Sequence, residues 1–291
     1  MRTLRPRPLV LLGAVALLAT AACAPEDDTG GGAAAASSSA STCSPATMTT
    51  RTPGKFTVGT DDPVYEPWFV DNKPDSGQGF ESAVAYAVAT KLGYGKDAVV
   101  WTRVTFNNAI APGVKPYDVD INEFSITEDR KKAVDFSSPY YDVTQAVIAL
   151  KSSKIAGAKS LSDLRVAKLG AQVGSTSYRA ITEVVKPAAQ PAVFNTNDDA
   201  KTALQNGQID GLVVDLPTAF YMTSAEIDNS LIIGQLPQPS GAPEQFGLVL
   251  DKGSRLTACV SQAVDALRSD GTLANLQKQW LAQVAGAPEL K

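Results

Sequence analysis

Strand-like and helix-like segments alternate along the chain from residue 54 to residue 281, and no other feature restricts the fold as much. Residues 55–60 alternate apolar with polar side chains, as a half-buried strand does, and apolar residues then recur at helical spacing from Phe80 to Val88, before Gly93. Later strands are predicted at residues 98–106, 146–150, 166–169, 212–214, 231–233 and 246–250. Amphipathic helices are predicted at residues 256–267 and 273–280. This alternation predicts an α/β body with largely parallel sheets.

The composition excludes several kinds of active site. The 291 residues leave room for about two domains, and they include no histidine and only three cysteines. Catalytic Ser/His and Cys/His pairs, histidine-dependent zinc sites and a four-cysteine zinc site are therefore ruled out. With 26 basic and 30 acidic side chains, the chain offers no excess of positive charge for binding nucleic acid. We expect no metal, no cofactor and no nucleic-acid partner.

The N-terminus is predicted to direct export. Residues 1–22 contain three arginines, then an apolar run at residues 9–18 and then small residues, which is the order of a secretory signal. The run is too short to cross a bilayer, which requires about 20 apolar residues. The sequence Thr20-Ala21-Ala22-Cys23 resembles a bacterial lipobox, in which cleavage leaves the cysteine N-terminal and lipid-modified. A plain secretory signal with an incidental cysteine is the alternative.

The segment that follows Cys23 is predicted to be a flexible tether. Residues 30–42 consist almost entirely of Gly, Ala and Ser, a composition that cannot bury enough apolar surface to offset the entropy of ordering the chain. We therefore expect residues 23–53 to link a lipid anchor, on the extracytoplasmic face of the bacterial cell membrane, to the folded body.

Two cysteines, Cys43 and Cys259, remain once Cys23 is assigned to the lipid. In an exported protein an even number of cysteines favours a disulfide, and this one would join the start of the folded body to a helix near the C-terminus. The alternative is two unpaired thiols, since the sequence does not show whether the two Cα atoms come within bonding range.

The most informative stretch is NEFSITEDRKKAVDFSSPYY, residues 122–141. Thr127 can cap a short helix with two acidic residues in its first turn, which places Ser125 on the preceding loop and Arg130 one turn beyond it. A hydroxyl and a guanidinium can converge in this arrangement, and a guanidinium matches a carboxylate with two parallel hydrogen bonds. On its own, the pattern equally fits the solvated, charged end of a helix.

Together with other segments, this stretch resembles the polar amino-acid-binding proteins of ABC importers, the family 3 solute-binding proteins. The resemblance covers nearly all of residues 54–281, and its pieces occur in the order of the family. They are GTDDPVYEPW, GQGFESAVAYAVATKLG, Phe106, SITEDRKKAVDFSSPYY, GAQVGSTSY, GQIDG followed by VDLP, and DGTLANLQKQW. Each piece alone is weak evidence, but six or more in order are hard to obtain by coincidence.

The resemblance implies a two-lobed α/β fold of the periplasmic-binding-protein type (type II), with two hinge strands and a ligand cleft between the lobes. It assigns residues 54–144 and 242–285 to lobe 1 and residues 145–241 to lobe 2. It also implies that the protein captures a free amino acid by closing its lobes, as periplasmic binding proteins do, and delivers it to the membrane permease of an ABC transporter. We expect a monomer.

The resemblance further assigns the contacts to the α-carboxylate of the ligand. Arg130 and Ser125 match family positions that bind this group, and so does Thr176 in the loop of residues 174–177. This loop is also suited to anions for a physical reason, because it opens a helix and its small residues allow close approach to main-chain N–H groups. A simple N-cap without a ligand is the alternative.

Other positions are assigned to the rest of the ligand. Asp215 matches the acid that binds the α-ammonium, and Gln172 matches a position that reaches across the cleft from lobe 2. Tyr65 and Phe106 match the aromatic pair that holds the ligand side chain between two rings. Either ring could instead belong to the core.

Glu123 departs from the family, which usually has a small residue at that position. A carboxylate without compensation in a closing cleft is costly, so Glu123 should meet a cation, a hydrogen-bond donor or water. Asp61, Asp62 and Glu66 lie on the loop expected to receive the ligand side chain. Carboxylates beside two aromatic rings suit a cationic side chain, so we expect a basic amino acid first and a neutral polar one, such as glutamine, second. A salt bridge from Glu123 to a lysine of the protein is the alternative.

Two other functions stay open. The fold also resembles exported dehydratases and domains of peptidoglycan lyases, whose chemistry needs a carboxylic acid in the cleft, and Glu123 is the candidate general acid or base. The chain could also be the ligand-sensing subunit of a membrane receptor. We expect binding without catalysis.

Overall fold

The computed structural model describes residues 43–238, 242–282 and 286–291. The predicted signal segment, the predicted lipid site at Cys23 and most of the predicted tether lie outside these residues. The strands are β1 (Phe56–Thr60), β2 (Val99–Arg103), β3 (Val119–Asp120), β4 (Val134–Phe136), β5 (Tyr141–Val143), β6 (Gln145–Leu150), β7 (Leu169–Gln172), β8 (Ala192–Phe194), β9 (Gly211–Asp215), β10 (Ser230–Gln235), β11 (Glu244–Phe246) and β12 (Val249–Asp251). The α-helices are α1 (Phe80–Lys91), α2 (Phe106–Ile110), α3 (Leu161–Leu164), α4 (Thr176–Ala180), α5 (Asn197–Gln205), α6 (Leu216–Tyr221), α7 (Thr257–Ser269) and α8 (Thr272–Trp280).

The strands form two five-stranded sheets and a two-stranded ribbon. Sheet 1 has the order β2-β1-β3-β12-β4, sheet 2 has the order β10-β6-β9-β7-β8, and β5 pairs with β11 in the ribbon. Each sheet packs against helices and has its own hydrophobic core. The predicted two-lobed α/β architecture is confirmed, and lobe 1 and lobe 2 below denote the bodies built around sheet 1 and sheet 2.

The prediction of largely parallel sheets is wrong, because half of the strand pairings in each sheet are antiparallel. In sheet 1, β1 is parallel to β2 and β3, whereas β12 is antiparallel to β3 and β4. In sheet 2, β7 is parallel to β8 and β9, whereas β6 is antiparallel to β9 and β10. The antiparallel strands β6 and β12 are those that follow the ribbon. The chain therefore reverses direction relative to a sheet when it enters that sheet from the hinge.

The ribbon contains the two hinge strands. β5 leads through Thr144 into β6 of sheet 2, and β11 leads back into β12 of sheet 1. Residues 246–250, predicted as one strand, are therefore divided. β11 ends at Phe246 and β12 begins at Val249, because the chain passes from the ribbon into sheet 1 between them.

Two other predicted strands have different bounds. In residues 98–106, the strand ends at Arg103 and Phe106 begins the short helix α2. In residues 166–169, Val166 is 71% exposed and the strand begins only at Leu169. The apolar run there includes a turn, in which the N–H of Ala167 donates to the carbonyl of Leu164 at 3.0 Å. Hydrophobic runs of this length do not distinguish a turn from a strand.

The helix predictions agree better with the structure. The helix predicted from Phe80 onward is α1, and Gly93 follows it with a φ of 87°, a left-handed conformation that favours glycine. The two predicted C-terminal helices are α7 and α8, which pack against α1. In the part of the chain described above, no helix has both the length and the apolar character needed to span a membrane.

Cys43 and Cys259 form a disulfide, with their Cα atoms 5.4 Å apart, as predicted. The bond attaches the beginning of the described chain to α7 of lobe 1.

The C-terminal residues pack against lobe 2, although α8 belongs to lobe 1. The N–H of Gln235 in β10 donates to the carbonyl of Pro288 at 2.8 Å, and the N–H of Leu290 donates to the carbonyl of Gln235 at 2.9 Å. Leu290 is 2% exposed and belongs to a core cluster of lobe 2. The last residues therefore form a third connection between the lobes, besides the two hinge strands.

Candidate functional site

The predicted ligand residues lie where strands of both sheets end. Asp61 follows β1, Phe106 lies beyond the end of β2, and Glu123 lies beyond the end of β3. In sheet 2, Gln172 ends β7 and Asp215 ends β9. These strands are parallel within each sheet, so their carboxyl ends meet along one edge, the usual place for ligands in α/β proteins.

These residues line one cavity, with about 490 Å³ of empty space including its opening to solvent. Its lining residues are Asp61, Tyr65, Phe106, Asn122, Glu123, Arg130, Gln172, Ser175, Thr176, Ser177, Asn197, Val214 and Asp215. Eight of the nine predicted ligand residues are among them. The ninth, Ser125, lies beside the cavity, with its Oγ 3.1 Å from Oγ1 of Thr176.

Arg130 is buried at the junction of the lobes. Oγ1 of Thr127 accepts a hydrogen bond from the N–H of Arg130 at 3.2 Å, as a capping residue does, but Arg130 begins a 3₁₀ turn and not an α-helix. Its Nη1 donates to the carbonyl of Ser125 at 2.8 Å, and its Nη2 donates to the carbonyl of Gly174 in lobe 2 at 3.0 Å. The residue is 9% exposed. The alternative of a solvated helix end is therefore wrong for Arg130.

Burial lowers the pKa of Arg130 to about 10, which still leaves the guanidinium charged at neutral pH. The guanidinium carbon lies 5.3 Å from the centre of the Phe106 ring, within the range of a cation–π contact. Guanidinium has five N–H donors, and the two main-chain carbonyls of Ser125 and Gly174 accept from only two of them. Donors therefore stay available for an anionic ligand group in the cavity.

The loop before α4 requires glycine at position 174. Gly174 has a φ of +74°, and a Cβ there would lie 2.8 Å from Oδ1 of Asn107 in lobe 1. The next residue, Ser175, caps α4, since its Oγ accepts from the N–H of Tyr178 at 3.2 Å. The loop thus combines an N-cap with a close approach to the other lobe, and Thr176 follows in the cavity wall.

The two predicted aromatic residues both line the cavity. Phe106 also stacks on Phe124, with ring centres 4.9 Å apart, so it belongs to the core and to the cavity at once. Tyr65 is half-buried. Burial raises the pKa of its hydroxyl, and the negative charge of Asp198 in lobe 2 adds to this effect.

Glu123 is surrounded by donors and by other acids. Its backbone has a φ of 54°, and its N–H donates to Oε1 of the buried Glu81 at 2.7 Å. Its Oε2 accepts from Oγ1 of Thr218 in lobe 2 at 3.1 Å, and Asp215 lines the same cavity. No ion pair in the described residues includes Glu123, so the alternative of a salt bridge to a lysine is wrong.

Burial raises the pKa of Glu123 well above its usual range, and the negative charges of Asp215 and Glu81 raise it further. Burial likewise raises the pKa of Asp215 well above its usual range, with a further contribution from the charge of Glu244. Behind them, burial raises the pKa of Glu81 to about 7. The cavity therefore has a group of carboxyl groups that ionise less readily than exposed acids.

Several residues of the site were missed from sequence. Nε2 of Gln145 donates to Oδ1 of Asp215 at 2.6 Å and to Oε2 of Glu244 at 3.2 Å, and Glu244 also accepts from the hydroxyl of Ser125. Gln145 begins the otherwise apolar strand QAVIAL, and a polar residue there is the one signal that could have indicated it.

A second missed pair joins the lobes. Nε1 of Trp68 in lobe 1 donates to Oγ1 of Thr218 in lobe 2 at 2.8 Å, and this hydroxyl in turn donates to Glu123. Neither Trp68 nor Thr218 stands in a pattern that indicates a polar contact, and both are at most 1% exposed.

The geometry suits a small zwitterion. Arg130 supplies a buried cation, and Asp215 and Glu123 supply acceptors in the wall of the same cavity. Among the described residues, no group of three or more acidic or cysteine side chains is arranged to hold a metal ion.

Comparison with known proteins agrees with this description. Residues 56–283 match the model of the bacterial extracellular solute-binding proteins, family 3. The chain is 30% identical over 218 residues to the ABC transporter glutamine-binding protein GlnH of Bacillus subtilis. These residues are 72% of this chain and 76% of that protein. It is 26% identical over 224 residues to the L-arginine-binding protein of Pseudomonas aeruginosa, covering 75% and 85% of the two chains.

Solved structures show the same likeness. An ancestral arginine-binding protein bound to glutamine superposes with a TM-score of 0.66 at 30% identity, covering 79% of this chain and 98% of the other. Since the family model spans most of the chain, including both sheets and the hinge ribbon, the chain belongs to the bacterial extracellular solute-binding proteins of family 3.

Proposed function

We propose that this protein captures an L-amino acid by closing its lobes and delivers it to the permease of an ABC transporter. The observation that carries the proposal is the position of Arg130 and Asp215. A cation of lobe 1 and an acid of lobe 2 line one cavity, so a ligand with a carboxylate and an ammonium can contact both lobes at once. Such a ligand favours the closed form by the contacts that exist only there.

A basic amino acid is the proposed ligand, followed by a neutral polar one such as glutamine. Three carboxyl groups, of Asp61, Glu123 and Asp215, line the cavity beside one guanidinium. The relatives named above for glutamine and for arginine support both choices. We also propose that residues 54–144 with 242–285 move as one body and residues 145–241 as the other, and that the protein acts as a monomer.

Titration calorimetry with the common amino acids and ornithine tests this proposal. Arg130→Ala should weaken binding at least about 100-fold, because two charge-assisted hydrogen bonds contribute about 1.5–3 kcal/mol each. The far-UV circular dichroism spectrum should not change. Arg255→Ala, which removes an exposed arginine, is the control. Undiminished affinity of Arg130→Ala would remove the carboxylate role of this residue.

Catalysis is the second candidate, because Glu123 has the raised pKa of an acid that could transfer a proton within the cavity. We propose that the ligand is released unchanged. Incubating each bound amino acid with the protein and analysing it by mass spectrometry distinguishes the two functions, since any turnover product would favour an enzyme.

We further propose that Cys23 carries the lipid anchor. The support is the order of charged, apolar and small residues before it, together with the extracellular character of the family. The mass of the N-terminal peptide from membrane-associated protein tests this proposal, and an unmodified cysteine would contradict it.

A further inference from the structure

Glu244, in the hinge strand β11, ends a row of hydroxyl groups that leads to the wall of the cavity. Its Oε1 accepts from the hydroxyl of Ser125, and Oγ of Ser125 lies 3.1 Å from Oγ1 of Thr176. Thr176 lines the cavity, whereas Ser125 lies beside it and is 1% exposed. Resting on the proposed function, we propose that Glu244 competes with the α-carboxylate of the amino acid for the hydroxyl hydrogen of Thr176, and so lowers the affinity of the site.

The direction of each hydrogen bond in the row follows from the number of hydrogens. A hydroxyl has one hydrogen and two lone pairs, and a carboxylate has no hydrogen to donate. The one hydrogen of Ser125 goes to Glu244. The contact between Ser125 and Thr176 is therefore made with the hydrogen of Thr176, which points to Ser125 and not into the cavity. Neither hydroxyl has a hydrogen left for the carboxylate of a ligand.

Gln145 holds Glu244 in this arrangement. Oε1 of Gln145 accepts from the hydroxyl of Ser177 at 2.7 Å, which fixes the orientation of the amide. Nε2, with both amide hydrogens, then donates to Oδ1 of Asp215 at 2.6 Å and to Oε2 of Glu244 at 3.2 Å. Glu244 thus accepts from two buried side chains, from Ser125 through Oε1 and from Gln145 through Oε2. The carboxylate stays beside the hydroxyls because both of its oxygens have donors.

A ligand carboxylate gains a hydrogen bond from this row only when the protein loses one. If the hydrogen of Thr176 turns to the ligand, Ser125 loses its donor, and Ser125 is too buried for water to replace it. The hydroxyl of Thr176 therefore adds little to the affinity. The negative charge of Glu244 acts in the same direction, since it raises the pKa of Arg130 against the effect of burial. The ligand thus meets a guanidinium whose charge is already partly balanced.

Glu244→Gln reverses the row of hydrogens with almost no change in side-chain shape. With its oxygen at the position of Oε2, the new amide still accepts from Gln145, and with its nitrogen at the position of Oε1 it donates to Ser125. The hydrogen of Ser125 can then go to Thr176, and the hydrogen of Thr176 can go to the ligand. We expect Glu244→Gln to bind the amino acid about tenfold more tightly, because a hydrogen bond to its carboxylate is gained without a loss in the protein.

Titration calorimetry of the full chain measures this effect. The probes are L-arginine and L-glutamine, followed by the other common amino acids if neither binds. Glu128→Gln is the matched control, since it removes the same charge from an exposed side chain two residues before Arg130, and it should keep the wild-type affinity.

Thr176→Val, combined with Glu244→Gln, separates the hydrogen bond from the charge. Valine has nearly the shape of threonine but no hydroxyl hydrogen to give to a ligand. Most of the gain from Glu244→Gln should therefore be lost when Thr176→Val is also present, and what remains is the effect of the removed charge on Arg130. Far-UV circular dichroism checks that each variant is folded.

The outcomes separate this inference from the proposed function. Weaker or unchanged binding by folded Glu244→Gln would overturn the competition and leave the proposed function standing, and so would an equal gain in the presence of Thr176→Val. If Glu244→Gln does not fold, Ser125→Ala replaces it, because it also frees the hydrogen of Thr176; tighter binding is expected, and weaker or unchanged binding would overturn the inference. If no common amino acid binds to the wild type or to the variants, the proposed function fails and this inference fails with it.

Discussion

Thr218 joins the two lobes through a pair of hydrogen bonds, and Thr218→Val removes both with little change in side-chain shape. The hydroxyl accepts from Nε1 of Trp68 in lobe 1 and donates to Oε2 of Glu123, also in lobe 1. Thr218 and Trp68 are at most 1% exposed, so water cannot replace the lost partner while the lobes are closed. In the open form of the proposed cycle, the contact would be broken and both partners would be hydrated.

The size of the effect follows from the groups left unpaired. A buried donor or acceptor without a partner costs about 1–3 kcal/mol. In Thr218→Val, the indole N–H of Trp68 loses its acceptor, and Glu123 loses one donor but keeps the bond from its own N–H to Glu81. If the indole carries most of the cost, the closed form loses about 1–3 kcal/mol relative to the open form. This corresponds to a decrease in affinity of about 5- to 150-fold.

Calorimetry of ligand binding and urea unfolding of the ligand-free protein together test this reasoning. We expect lower affinity and almost unchanged stability, because the penalty applies to the closed form alone. Thr223→Val is the matched control, since the hydroxyl of Thr223 donates to the carbonyl of Ala219 within its own helical segment. Lower stability with wild-type affinity would refute the argument, because the bond would then exist in both forms.

Two further predictions concern stability. Leu290→Ala should lower the free energy of unfolding by about 2–3 kcal/mol, because Leu290 is 2% exposed in the core of lobe 2. An unchanged midpoint of urea unfolding would contradict the packing of the C-terminal residues against lobe 2. The control is Val114→Ala, at an 85% exposed position. Burial raises the pKa of Glu81 to about 7, so this carboxyl binds its proton more tightly in the folded protein than in the unfolded chain. The contribution of Glu81 to the free energy of unfolding is therefore lost as pH rises from about 4.5 to 7. Urea unfolding at pH 5 and at pH 8 measures how much the free energy of unfolding falls between the two pH values. In Glu81→Gln this fall should be smaller than in the wild type by up to about 3 kcal/mol, and an equal fall in the two proteins would contradict the prediction.

Most residues of the cavity wall were predicted through the resemblance to the family, and local patterns place several of them. Asp61 follows β1 and Asp215 ends β9, and the end of each of these strands can be recognised from the hydrophobic run before it, whereas no strand was predicted before Glu123. Arg130 is fixed by the cap at Thr127, only three residues away. Where a residue and its neighbours in sequence decide its position, a pattern is sufficient.

The contacts between the lobes could not be predicted in this way. Trp68 and Thr218 are 150 residues apart, and Arg130 and Gly174 are 44 residues apart. Such pairs depend on how the two sheets are placed across the hinge, and no local pattern encodes that placement. The same reason explains the strand directions: β6 and β12 are antiparallel because of the path through the ribbon, which their own sequences do not show.

The balance of charge in the cavity extends this argument to the ligand. Arg130 can pair with the carboxylate of an amino acid, and the ammonium can pair with Glu123 and Asp215. Asp61 then stays in the cavity wall with Tyr65 and Phe106. Its oxygens accept from the N–H groups of Asp62 and Phe106 at 2.7 and 3.1 Å, which offsets part of the cost of desolvating its charge, and burial still raises its pKa. A cationic side chain would pair with this carboxylate, whereas a neutral amide could only donate a hydrogen bond to it. We therefore propose that the carboxylate of Asp61 sets the preference between basic and neutral amino acids, and that the fold shared with the family does not determine it.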